Sequence, residues 1–161
     1  MDITQDSRGY IWIATRFGLN RYDGHHFDIL TRESDHLQSN SVNELVPDQN
    51  EQIWMIEEDA PGHNIIFIDI LDPIRLTVKP LQAYIRDSLP FRINEIEAVV
   101  SDSSHNIYIL TRQNDVYGFE QHKIKHLFKI PSTEQVPDIG IGANIIITIV
   151  PDADSMDIWA K

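Results

Sequence analysis

Chemistry in this chain would have to come from carboxylates and imidazoles. It has no cysteine, and therefore no thiolate nucleophile, no cysteine-ligated zinc and no disulfide framework. The densest acidic run is Glu57, Glu58 and Asp59, followed by Pro61-Gly62-His63-Asn64. Two carboxylates set across a glycosidic bond would make a glycosidase, but neighbours in a loop between strands read as a solvated charge run. Of the seven histidines, His25 and His26 are adjacent, so an extended backbone turns them to opposite faces. His122 and His126 sit in a strand-like stretch and not on a helix. Neither pair has metal-ligand spacing, so neither a metal nor a cofactor is expected. Gly140-Ile141-Gly142 lacks the third glycine and the following helix of a dinucleotide fingerprint and reads as a linker.

The elements that would position any such groups are strands. Asp6, Asp48, Asp102 and Asp152 each open a polar turn, and an aromatic residue follows six or seven positions later: Trp12, Trp54, Tyr108 and Trp159. The unit recurs at intervals of roughly 40 to 55 residues, the period of four-stranded propeller blades. An aspartate at such a turn accepts from the backbone two residues on, so these aspartates are expected to be structural. Ile11-Trp12-Ile13, Ile53-Trp54-Met55-Ile56 and Ile107-Tyr108-Ile109-Leu110 are continuous apolar runs, which predicts strands buried on both faces. Asp23-Gly24 and Asp72-Pro73 would close outer hairpins. The expected architecture is all-β, a propeller fragment of about three and a half four-stranded antiparallel blades. Blade one spans 1–31, blade two 41–79 and blade three 93–130, with a fourth beginning at 143–161. Polar segments from Arg32 to Asn40, Pro80 to Arg92 and Pro131 to Gly142 would link them, Leu81 to Arg86 having room for one turn of helix.

Composition narrows the class. A 161-residue chain that is 42% hydrophobic can bury a core. Its net charge of −12, with 13 basic residues scattered along it, disfavours nucleic acid and anionic membrane surfaces as partners. No run approaches the roughly 18 apolar residues of a membrane helix, and the first residues do not read as a signal peptide. The chain is expected to be either cytoplasmic or a piece of a longer exported protein.

Asp6, Gly9, Ile11-Trp12-Ile13-Ala14-Thr15, Gly18-Leu19, Arg21-Tyr22-Asp23-Gly24 and Phe27 together resemble the two-component regulator propeller repeat. That pattern runs D-x-x-G-x-[IL]-W-[IV]-[GA]-T-x-x-G-L-x-R-[YF]-D-G and then F. The second copy lacks Gly-Leu-x-Arg, and in the third Tyr108 stands for Trp, although Thr111-Arg112 repeats Thr15-Arg16. The resemblance implies a non-enzymatic, periplasmic sensor segment of a Bacteroidetes hybrid histidine kinase, responding to oligosaccharides and signalling across the membrane to transcription. The kinase activity, further blades and downstream domains would lie elsewhere in the parent chain. The alternatives are a propeller glycosidase or lyase, or a propeller serving as a protein-interaction platform.

For ligand binding, the second-to-third-strand loops and the blade linkers converge on one end of a propeller. They would place Arg16, Phe17, Asp59, His63, Arg112 and Asn114 there. Planar hydrogen-bonding groups beside an aromatic platform suit sugars, which singles out Arg16, Phe17 and Arg112. Three and a half blades cannot close a ring, so uncovered apolar faces and self-association, most simply a homodimer, are expected.

Overall fold

The computed structural model describes residues 1–58, 64–130, 147–151 and 156–160. Asp59, His63 and Asp152 therefore lie outside the described residues, as does the linker from Pro131 to Gly142. The chain divides into two compact units, Met1–Ile130 and Pro131–Lys161.

The first unit holds three four-stranded antiparallel sheets, each paired in sequence order. β1 (Ile3–Gln5), β2 (Ile11–Thr15), β3 (Gly18–Tyr22) and β4 (Phe27–Leu30) make blade one. β5 (Glu44–Pro47), β6 (Ile53–Glu58), β7 (Ile65–Asp72) and β8 (Thr77–Pro80) make blade two. β9 (Ile96–Ser101), β10 (Ile107–Thr111), β11 (Asp115–Glu120) and β12 (Lys123–Lys129) make blade three. Two short helices, α1 (Arg32–Asp35) and α2 (Leu81–Tyr84), and a 3-10 turn at Ile93–Glu95 lie in the connections between blades. The described residues of the second unit pair as antiparallel strands β13 (Ile147–Pro151) and β14 (Met156–Ala160). No helix among the described residues is long and apolar enough to cross a membrane.

The six-residue gap between aspartate and aromatic has a geometric cause. Asp6 Oδ1 accepts from the backbone N–H of Arg8 and Tyr10, both at 3.0 Å, while Oδ2 accepts from the Trp12 indole N–H at 3.0 Å. Asp48 repeats this with Asn50, Gln52 and the Trp54 indole at 2.8, 3.0 and 3.2 Å. Asp102 does so with Ser104, Asn106 and the Tyr108 hydroxyl at 2.8, 2.9 and 3.2 Å. One carboxylate thus closes the turn and anchors the ring six residues on, which for Trp12 and Trp54 lies in the core. The third turn position has positive φ in all three copies: Gly9 at 88°, Glu51 at 60° and His105 at 60°. Only the first copy uses the residue that adopts this conformation without a steric penalty.

Two layers of apolar side chains join the blades. Trp12, Ala14, Leu19 and Leu30 of blade one pack with Leu45, Ile53, Met55 and Leu71 of blade two. Trp54, Ile56, Ile68 and Ile70 on the opposite face of blade two pack with Ile96, Val99, Ile107 and Ile109 of blade three. Blades one and two therefore each offer an indole-bearing face to the face of the next blade that lacks one. Burying a tryptophan this way removes roughly 200 Å² from water, about 5 kcal/mol of gross transfer energy.

Continuous burial of the central strands holds only where a blade has neighbours on both sides. β6 is buried from Ile53 to Glu57, whereas β2 alternates, with Trp12 and Ala14 buried and Ile11 and Ile13 half-exposed. The apolar run predicts two buried faces, but in blade one the second face has no cover among the described residues of the first unit. A second departure concerns Glu57, expected in a solvated loop. It lies within β6 and is 0% exposed.

Candidate functional site

The loops at one end of the blades carry the candidate ligand groups. Thr15 and Gly18 pair across a two-residue turn whose central residues are Arg16 and Phe17. The Thr15 hydroxyl holds the turn, donating to the Gly18 carbonyl at 2.7 Å and accepting from the Phe17 N–H at 3.1 Å. The linker after α1 clamps it from outside: Gly18 N–H donates to the Asn40 carbonyl at 2.7 Å, and Val42 N–H to the Thr15 carbonyl at 2.9 Å. Gly18 has φ +114°, and a Cβ there would lie 2.3 Å from the Leu30 carbonyl oxygen, so glycine is required. With both turn ends held, Arg16 and Phe17 project outward, and Phe17 is 84% exposed.

Beside this turn lies an open cleft of about 400 Å³ lined by Met1, Thr15, Arg16, Phe17, Val42 and Asn43. A guanidinium supplies a planar fork of donors next to the flat apolar ring of Phe17. That pairing suits a sugar, with hydroxyls to the fork and a C–H face to the ring.

Arg112 and Asn114 occupy the corresponding β10–β11 turn of blade three. Arg112 donates its backbone N–H to Glu95 at 2.8 Å, and its guanidinium sits 3.6 Å from the Glu97 carboxylate, both side chains partly exposed. Asn114 is a turn residue at φ 65°. Its N–H donates to the Thr111 carbonyl and its own carbonyl accepts from Ile130 N–H. The cleft beside Arg16 contains no residue of blade three, so the structure does not bring Arg112 and Asn114 together with Arg16 and Phe17 in one cavity.

Under the linker from blade one to blade two Glu57 of the acidic run meets a second acid, Asp69, that lies outside that run. Asp69 of β7 is fully buried, and its two oxygens accept from the Gln38 backbone N–H at 2.7 Å and side-chain amide at 2.8 Å. Glu57 stands diagonally across from it, since Met55 opposes Asp69 while Glu57 opposes Phe67. Neither Glu57 oxygen makes a well-formed hydrogen bond, although Asp69 and the Ser39 N–H are close enough to act on it. Burial foremost, and then the charge of Asp69, push the Glu57 carboxyl up to about 9, so Glu57 is protonated at neutral pH. Both acids are 0% exposed, which makes the pair an internal support for the linker. A signal was present in the sequence: Asp69 interrupts the run Ile65-Ile66-Phe67-Ile68-Asp69-Ile70-Leu71, where only a buried acid fits a strand covered on both faces.

A second cleft, of about 380 Å³, opens at the other end of blades two and three, where Asn50, Asp72, Arg75, Lys79, Tyr84 and His122 meet. Tyr84 and His122 pack edge to face at 4.6 Å, and the His122 Nδ1 lies 3.2 Å from the Tyr84 carbonyl. Arg75 is spent on Asp72 at 2.8 Å. No group of three or more potential metal ligands exists among the described residues.

No protein-family model matches the sequence, and no curated protein matches it significantly. Solved structures do. The extracellular domain of the hybrid two-component system BT4673 from B. thetaiotaomicron matches with a TM-score of 0.64 at 16% identity, over 99% of this chain and 21% of that one. The extracellular domain of the hybrid two-component system BT3049 from the same organism matches with a TM-score of 0.53 at 20% identity, over 79% and 18%. Virginiamycin B lyase from Staphylococcus aureus matches with a TM-score of 0.52 at 14% identity, over 81% and 41%. This chain spans about a fifth of the length of the two Bacteroides domains. The protein accordingly has the fold of these extracellular domains of Bacteroides hybrid two-component systems, a run of four-stranded antiparallel propeller blades.

Proposed function

We propose that this chain is a non-enzymatic sensor segment from the extracytoplasmic, periplasmic part of a hybrid two-component histidine kinase. It takes up an oligosaccharide at the Arg16–Phe17 end of the blades. Ligand held there biases the packing of blades and downstream domains, and that bias crosses the membrane to the kinase. The observation that supports this reading most is the fold likeness to a two-component extracellular domain over 99% of this chain. The turn geometry supports the location, because both ends of the Arg16–Phe17 turn are clamped while the two side chains are left free.

Calorimetric titration of the chain with a panel of oligosaccharides tests it, alongside Arg16→Ala and Phe17→Ala. Saturable binding weakened about tenfold by either change, with the sugar recovered intact, is the expected result. Binding unaffected by both changes removes this turn as the site. The likeness to virginiamycin B lyase gives a second reading, a propeller lyase, which appearance of cleaved products in the same titration would favour.

A further inference from the structure

Four connections converge on the 380 Å³ cleft between blades two and three: the β5–β6 turn with Asn50, the β7–β8 hairpin with Asp72, Thr77 and Lys79, helix α2 with Tyr84, and the β11–β12 turn with His122. Its volume is that of a small-molecule site. The walls are fixed from within the protein. Asp72 accepts from the Ile74 and Arg75 backbone N–H at 3.0 and 2.9 Å, besides the Arg75 guanidinium at 2.8 Å. The Arg86 N–H donates to the His122 carbonyl at 2.8 Å. The Tyr84 carbonyl can only accept, so the His122 Nδ1 facing it carries a proton. A two-residue hairpin turn of this geometry favours Asn-Gly, yet Gln121 and His122 occupy it at φ 51° and 62°. The contacts of His122 with Arg86 and Tyr84 hold it there against the local preference.

The groups this leaves unmatched are of complementary kinds. Asp72, the one acid among the described lining residues, is saturated by its three donors. Lys79 has no carboxylate partner among the described residues, and neither the Asn50 side-chain amide nor the Thr77 hydroxyl has a hydrogen bond there. With Nδ1 committed to Tyr84, His122 keeps Nε2 as an acceptor. We infer that this cleft binds a sugar bearing an acidic group, its carboxylate or phosphate against the Lys79 ammonium and its hydroxyls against Asn50, Thr77 and His122 Nε2. A neutral sugar would leave the ammonium without its charge-assisted bond, and a bare anion would offer His122 no hydroxyl to accept from. The site lies at the opposite end of the blades from the Arg16–Phe17 turn and does not depend on binding there.

Titration of the chain followed by NMR at fixed ionic strength, with galacturonate and glucose 6-phosphate against galactose and glucose, reads this out. The expected result is saturable binding of an acidic sugar that shifts the amide signals of Asn50, Thr77 and His122. Its neutral counterpart should bind at least about tenfold more weakly, the worth of one hydrogen bond to a charged group. Whichever acid binds more tightly tells carboxylate from phosphate. Lys79→Gln should weaken binding by about tenfold, and Lys79→Arg should restore most of it. Lys125, exposed on β12 and outside the cleft, supplies the control: Lys125→Gln should bind like the parent, as should Arg16→Ala. Failure of both acids to saturate overturns the inference, as does equal affinity for an acid and its neutral counterpart, or equal loss in Lys79→Gln and Lys125→Gln.

Discussion

Replacing Glu57 by Gln should stabilise the protein, by an amount that depends on pH. In the unfolded chain the carboxyl ionises at its ordinary value of 4.5, and in the folded state at about 9. Between these values the native state binds one proton that the unfolded state does not, so stability falls as pH rises. The support given by the protonated acid is complete below 4.5 and is lost progressively up to about 9. At 1.36 kcal/mol per pH unit, about 3 kcal/mol has gone by pH 7. Glutamine is the neutral counterpart. Its amide N–H₂ can face Asp69 as the carboxyl proton does, and its carbonyl can accept from Ser39. Urea denaturation of both proteins at intervals from pH 4 to pH 8.5 measures the difference. The two should be about equally stable at pH 4 and should separate by about 1.4 kcal/mol per pH unit above 4.5. Parallel stability profiles would refute the reasoning, since they would mean that Glu57 ionises alike in both states.

Two further changes test the framework around the loops. Asp48→Ala strips the Trp54 indole and two turn N–H groups of their acceptor, and an orphaned buried donor costs about 1–3 kcal/mol. Because Asp48 is buried and Asp102 partly exposed, denaturant melts should show a larger loss for Asp48→Ala than for Asp102→Ala. Gly18→Ala meets both a positive φ and the Leu30 carbonyl, and a loss of at least about 2 kcal/mol is expected. Weaker protection from hydrogen exchange at Gly18 and Val42 should accompany that loss as the linker lifts off.

The blade unit was legible because its cause is local. An aspartate that closes a turn with one oxygen and holds an indole with the other must stand a set distance from that ring, and the distance is written in the chain at Asp6, Asp48 and Asp102. Candidate binding residues were legible only as far as the turn that carries them. Arg16 and Phe17 do project from a clamped turn, but Arg112 leans on Glu97 and Asn114 serves the backbone of its own turn. Spacing says which end a loop occupies, not which side chains share a cavity. Cleft residues Tyr84 and His122 come from a linker helix and a hairpin turn far apart in sequence, and no periodicity links them.

The sequence by itself determined the four-stranded unit, its turns and its repetition, because each depends on contacts within a few residues. Only the tertiary structure decided which faces those units cover. The same kind of apolar run around a tryptophan is sealed on both sides in blade two and on one side in blade one, since burial of the second face depends on a neighbour and not on the strand. It also decided the state of Glu57. A carboxyl reads as solvated in a polar stretch, and becomes a proton-holding core group only when a linker and a second acid close over it.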